Sequence, residues 1–226
     1  MNINYRPEID GLRAIAVISV IFYHANILIF DEKLFKGGFI GVDIFFVISG
    51  YLITSLILRE LNTTQSFSFI NFYERRIRRI LPPLLFVMLL CFPVAWIHLG
   101  PANFIDFSKS ILYSIGFSSN FYFWDMGQQY AAASSLLKPF LHTWSLSIEE
   151  QYYIIFPIFL FIIHRYLQNY LLLFLFVSFI FSLLLADWGS KNYPSATFYF
   201  LHSRAWELIV GSFLAFPKIY QKYKKN

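Results

Sequence analysis

A histidine stands inside an apolar run. His24 lies within residues 14–30, one position after Tyr23 and eleven after Arg13. A titratable ring at membrane depth is costly, and such side chains usually mark a proton, ion or substrate pathway. Imidazole titrates near neutrality, which suits it to moving protons. Eleven residues make three helical turns and a small remainder, so Arg13 and His24 would share one helix face about 16 Å apart. Asp43 lies four residues into a second apolar run, 39–58, joined to the first by the short segment 31–38. With the N-terminus inside, His24 would lie about 9 Å and Asp43 about 6 Å below the outer surface. An acid and an imidazole at similar depth on neighbouring helices could pair, the carboxylate orienting the ring for general-base work. Asp43 near a helix start also suits a capping role.

Three further groups carry chemistry. The stretch His142-Thr-Trp144-Ser-Leu-Ser147-Ile-Glu149-Glu150-Gln places two adjacent carboxylates just after a histidine and a tryptophan. Ser147 and Glu150 fit a capping box, which would account for one glutamate but not both. Trp144 could anchor at an interface or offer a platform to a sugar ring. In His202-Ser-Arg204-Ala-Trp-Glu207 the arginine and the glutamate are three apart and could pair along a helix. Finally, Arg75, Arg76, Arg78 and Arg79 fill four of five positions. Any one of them suits a cytoplasmic flank or a lipid headgroup. Together they suit a phosphate-bearing ligand, because guanidinium forks match phosphate oxygens. No group has the composition of a metal site.

The elements that must hold these residues are membrane helices. Of 226 residues 58% are hydrophobic and 14% charged, with 28 Phe, and the mean hydropathy is +0.56. Repeated runs near bilayer length imply an all-α, polytopic transmembrane bundle. Five runs are clear (14–30, 39–58, 80–99, 148–166 and 171–188), and a sixth, 199–216, contains Arg204 and Glu207. Pro82 and Pro83 suit the start of the third helix, and Pro93 suits a kink within it. The glycines at 37, 38, 41 and 50 would let helices approach closely. Cys91 is the single cysteine, which excludes an internal disulfide and a cysteine metal cluster. The net charge of +5 follows helix ends, so it reflects topology and not nucleic-acid binding. No cleavable signal peptide is evident.

Segment 104–124 is aromatic but diluted by Asp106, Lys109 and serines. If it does not cross and the N-terminus is cytoplasmic, inner segments hold 12 Lys and Arg against 5 outside, leaving Arg204 within a span. The inner residues are Arg6, Arg13, Arg59, Arg75, Arg76, Arg78, Arg79, Arg165, Lys218, Lys222, Lys224 and Lys225. If it crosses, the split becomes 9 against 8. The positive-inside rule therefore favours six spans, with seven as the alternative. In the six-span arrangement the arginine row faces the cytoplasm. His24, Asp43, His142, Glu149, Glu150 and Glu207 gather in the outer half.

These motifs resemble the acyltransferase-3 family of integral membrane O-acyltransferases. The likeness includes Glu8-Ile-Asp-Gly-Leu-Arg13-Ala with His24, and Gly38-Phe-Ile-Gly41-Val-Asp43 through Ser49-Gly50-Tyr51. It continues in Phe72-Tyr-Glu-Arg75-Arg76 to Pro82, in His142 to Glu150-Gln, and in Ser203-Arg204-Ala-Trp-Glu207-Leu. Each motif is weak alone; five in order over nearly the whole chain are specific. The resemblance implies transfer of an acyl group, commonly acetyl, from acyl-CoA to a hydroxyl of a cell-surface glycan such as lipopolysaccharide O-antigen or exopolysaccharide. It implies a multi-pass protein of the bacterial inner membrane, with lipid, acyl-CoA and a carbohydrate as partners and no resident cofactor. Arg13 and His24 carry over as the essential pair, with Asp43, Glu149 and Glu150 beside them. Arg75, Arg76 and Arg79 would bind acyl-CoA, and His142, Trp144, Arg204 and Glu207 the acceptor. Members of the family commonly have more spans, so residues 1–226 are expected to form one transmembrane acyltransferase-3-like domain, truncated at its C-terminus. A proton-coupled transporter or lipid-glycan flippase is the alternative from another class, because buried Asp, Glu and His also serve proton relays. A fragment inactive by itself is a third reading.

Overall fold

The computed structural model describes residues 6–25, 28–29, 32–33, 35–128 and 137–223, with side chains described for 6–25, 35–128 and 137–216. Residues 26, 27 and 30 at the end of the first apolar run, Asp31 and Leu34 after it, and Lys224 and Lys225 lie outside the described residues. The helices are α1 (Pro7–Ala25), α2 (Ile40–Thr64), α3 (Phe69–His98), α4 (Pro101–Ile115), α5 (Ser119–Gln128), α6 (Thr143–Tyr166), α7 (Leu171–Asn192), α8 (Pro194–Tyr199) and α9 (Leu201–Tyr223). Between α1 and α2 the two-residue strands β1 (Leu28–Ile29) and β2 (Glu32–Lys33) pair antiparallel. Four helical segments, α2, α3, α6 and Gln168–Asn192, are long and apolar enough to cross a membrane. α1 and α9, of 19 and 23 residues, are of spanning length but carry more charge.

The chain divides into two compact units. The first comprises residues 1–66, 162–182 and 205–226, and α2 lies between α1 and α9 in it. Gly38 and Gly41 of α2 meet the backbone of α1 at Ser19 and Ala16. Gly50 meets the Leu208 carbonyl of α9, and Gly211 of α9 meets the Val47 carbonyl. Gly41 and Gly50 are nine residues apart, two and a half turns, so they serve opposite faces of α2. Lipid tails are as apolar as leucine, so close backbone contact between small residues does what exclusion from water does elsewhere. Thr54 Oγ1 donates to Ser212 Oγ across the α2–α9 contact (2.8 Å). Ile53, Ile57, Leu58 and Leu208 are buried in this unit. Arg6 Nη1 donates to the Tyr51 hydroxyl at 2.6 Å, joining the start of α1 to α2.

The second unit comprises residues 67–161 and 183–204. α3 begins at Ser68, whose hydroxyl accepts from the Asn71 amide. It runs through Pro82, Pro83 and Pro93 without interruption. The two early prolines therefore do not mark its start, and the arginine row belongs to the same helix as the apolar run that follows. Segment 104–124 is not one helix. It breaks at Gly116–Ser118 into α4 and α5, with Phe117 in the left-handed region at φ 50°. Neither piece, at about 22 Å and 15 Å, matches a hydrocarbon core of about 30 Å. The two helices fold into a hairpin: Tyr113 stacks on Tyr122 (4.6 Å), and the Tyr122 hydroxyl donates to the Asp106 carbonyl (3.1 Å). Burial, with the nearby Asp106 charge, pushes the Tyr122 phenol up to about 12, so it remains a donor.

A buried polar network ties this hairpin to α6. Thr143 and Ser147 contact Ser114 and Ser119 through hydroxyl pairs at 2.8–2.9 Å. Gln151 Nε2 donates to the Phe117 carbonyl (2.9 Å) and to Asn120 Oδ1 (2.8 Å), which holds the left-handed turn. Asn120 Nδ2 donates in turn to the Tyr199 carbonyl (3.0 Å).

Helix directions bear on the two span counts. Of the α2–α9 contacts, Gly50 with Leu208 and Thr54 with Ser212 share an offset of 158 residues, the sense of helices that run parallel, while Gly211 meets Val47 at an offset of 164. A parallel sense requires an even number of crossings after α2 up to and including α9, as α3, α6, α7 and α9 supply. α3 and α6 run antiparallel: Phe69 lies by Phe161, Tyr73 by Ile154 and Arg76 by Tyr153. Within each unit these directions are the ones expected if segment 104–124 does not cross.

Two outcomes follow. In a Cys91→Ser background, single cysteines at Ala102, Lys138 and Lys191 should react with a membrane-impermeant thiol reagent from one side, and one at Ser66 from the other; opposite sides for Ala102 and Lys138 would mean seven crossings. Gly50→Ala and Gly211→Ala should each cost about 1–3 kcal/mol through overpacking. Gly11→Ala, with nothing within 4 Å of the new methyl, should be neutral or stabilising, as read by thermal unfolding of the purified protein.

Candidate functional site

Arg13 and His24 lie on the one helix α1, as their spacing implies. Arg13 Nη1 pairs with Asp10 at 3.6 Å. His24 is exposed near the end of the helix, and Tyr23 stands edge-on to its ring at 5.2 Å. The structure does not bring Asp43 to His24. Gly41 lies opposite Ala16 and Val20, and Gly38 opposite Ser19 and Tyr23. In that antiparallel register Asp43 stands level with Ala16, about 12 Å along the axis from His24. The register follows the glycine contacts, so equal distance from the presumed membrane surface did not translate into equal depth. Asp43 is not the N-cap of α2 either. Phe39 occupies that position without a side-chain bond, and Asp43 sits in the first turn, where an acid complements the helix dipole. Glu207 is 1% exposed and precedes Leu208, so it lies at the level of the Gly50 contact.

In the second unit, α6 starts at Thr143, one turn earlier than a Ser147 cap would require. Ser147 instead bonds Ser119, so the capping box does not form and Glu150 has no capping role. Glu150 is 7% exposed, and its Oε1 has no hydrogen-bond partner among the described residues. Glu149 accepts from the Tyr153 hydroxyl, and the Arg76 guanidinium lies 4.3 Å over the Tyr153 ring. Arg76 and Glu149 both act electrostatically on Glu150. The arginine row and the acidic pair, expected in opposite leaflets, thus meet at Arg76. The physical reason is that α3 begins eleven residues before its apolar run and packs antiparallel on α6, which brings position 76 level with positions 149–153.

The expected acceptor group divides. His142 is exposed just ahead of α6. Trp144 is 8% exposed, covered by Phe198 (4.4 Å) and Tyr199 (5.8 Å). Arg204 stacks near Phe198 (5.2 Å) and Trp144 (5.8 Å), and its Nε donates to the Phe198 carbonyl at 3.4 Å. Trp144 is therefore packed within the protein and is not an open sugar platform. Sequence reasoning missed Tyr153, although Glu149 and Tyr153 are four apart, a spacing that puts them on one helix face. It also missed the Asn120–Gln151 amide pair, for which the sequence carries no local signal.

Residues 6–222, which include every candidate residue, match the family described as "Acyltransferase domain". The peptidoglycan O-acetyltransferase OatA of Listeria monocytogenes is 39% identical over 217 residues, covering 94% of this chain and 34% of the relative. The O-acetyltransferase OatA of Staphylococcus aureus is 35% identical over 215 residues, with coverage of 94% and 34%. The chain thus spans about a third of the length of these curated relatives. No solved structure matches it. With this match, and helices long and apolar enough for a multi-pass membrane protein, the chain belongs to the acyltransferase-3 family.

Proposed function

We propose that this chain is the membrane part of an O-acetyltransferase that moves acetyl from acetyl-CoA to a hydroxyl of a cell-wall glycan. The family match over residues 6–222 carries this reading, because it encloses the basic row, the acidic pair and the Arg13–His24 face together. The name of the Listeria relative directs the acceptor to peptidoglycan in place of lipopolysaccharide O-antigen or exopolysaccharide. The protein sits in the bacterial plasma membrane with its N-terminus cytoplasmic, the orientation favoured by the positive-inside rule.

In this reading the donor enters from the cytoplasm, with its phosphates held by the exposed Arg75 and Arg79. His24 removes the proton from the acceptor hydroxyl. The oxygen attacks the thioester carbonyl, the carbon–sulfur bond breaks, and the thiolate leaves and takes up a proton. Arg13, on the same face of α1, stabilises negative charge that develops along that path. Asp43 in the first unit, and Glu149 and Glu150 in the second, supply acidic groups. His142, Arg204 and Glu207 serve the acceptor side.

His24→Ala in the full-length protein should lower base-labile acetate on purified peptidoglycan at least about a hundredfold, the usual range for a lost general base, while membrane abundance is unchanged. Wild-type levels of acetate would reject the base.

A further inference from the structure

We propose that Arg76 is a positioning residue for the Glu149–Glu150 pair and not, like Arg75 and Arg79, a ligand of the donor's phosphates; this rests on the acyltransferase reading above. In the sequence the four arginines look equivalent. Their surroundings separate them. Arg78 Nη2 pairs with Glu74 at 2.6 Å. Arg75 and Arg79 are exposed. Arg76 is half-buried, with its guanidinium 4.3 Å over the Tyr153 ring and 5.9 Å from the Phe72 ring. Phe72 and Tyr153 are themselves buried.

A guanidinium is flat and weakly hydrated, so it tolerates stacking on an aromatic face where an ammonium would not. The stack fixes its plane, and the same tyrosine is bonded through its hydroxyl to Glu149. One side chain, Tyr153, therefore sets the position of both the cation and one of the two carboxyls. Glu150, the other carboxyl, is buried, has an Oε1 without a hydrogen-bond partner among the described residues, and lies within reach of the Arg76 charge. A buried carboxyl next to a half-buried one is repelled by it, and a cation held nearby offsets that repulsion. An arginine committed in this way is poorly placed to wrap a phosphate that enters from water.

The test compares variants of the full-length protein in membranes with acetyl-CoA as donor. Arg76→Lys keeps the charge and loses the flat stack. Tyr153→Phe keeps the ring and loses the bond to Glu149. Each should lower kcat about tenfold with KM for acetyl-CoA moved by less than about twofold, whereas Arg75→Gln and Arg79→Gln should raise that KM about tenfold. A rise in KM for Arg76→Lys matching that of Arg79→Gln, with kcat kept, would overturn the assignment. A second measurement needs no activity. Thermal unfolding of Arg76→Gln, Glu150→Gln and the double variant should show coupling, and the same cycle between Arg79 and Glu150 should be additive. Additivity at Arg76 sinks the positioning role even if acetyl transfer stands. Coupling at Arg76 in a protein that does not use acetyl-CoA leaves the positioning contact and removes the acyltransferase reading.

Discussion

A polar group within a helix bundle this apolar must find its partner inside the protein, because lipid offers none. That constraint accounts for much of the detail. Thr54 meets Ser212 where α2 and α9 touch. Ser114, Ser119, Thr143 and Ser147 satisfy one another where the α4–α5 hairpin reaches α6. Arg76 finds the face of Tyr153, whose hydroxyl is bonded to Glu149. Each contact joins elements far apart in the chain, so satisfying polar groups and specifying the tertiary arrangement are one process here.

The glycines act through a different mechanism with a similar result. A helix surface without side chains lets a neighbouring backbone come close and removes freedom to slide. Gly38, Gly41, Gly50 and Gly211 hold α2 against α1 and α9 in one register each. Those registers decide which residues share a level. They place Asp43 beside the middle of α1, and Glu207 at the centre of the α2–α9 contact. A single turn of slippage would reassign every one of these neighbours.

In the function proposed above, the division within the arginine row matters most. Anion capture favours exposed, adaptable guanidiniums; an acidic pair within the bundle needs a cation whose position does not change. Both demands are met within five consecutive residues because successive helix positions point 100° apart. Arg75 and Arg79, four apart, face one way and are exposed, while Arg76 turns towards α6.

The sequence by itself determined the apolar runs, the all-helical class, the shared face of Arg13 and His24, and the family. All of these depend on local periodicity, charge distribution along the chain or motif order, which a linear string carries. Tertiary structure decided that α3 starts before the arginines, that α6 starts before Ser147, that Trp144 is covered, that Asp43 and His24 are apart, and that Arg76 and Glu149 share Tyr153. Those outcomes depend on how one helix slides against another. That displacement is set by a few small residues and buried polar contacts between distant segments, and hydrophobic periodicity within either helix is blind to it.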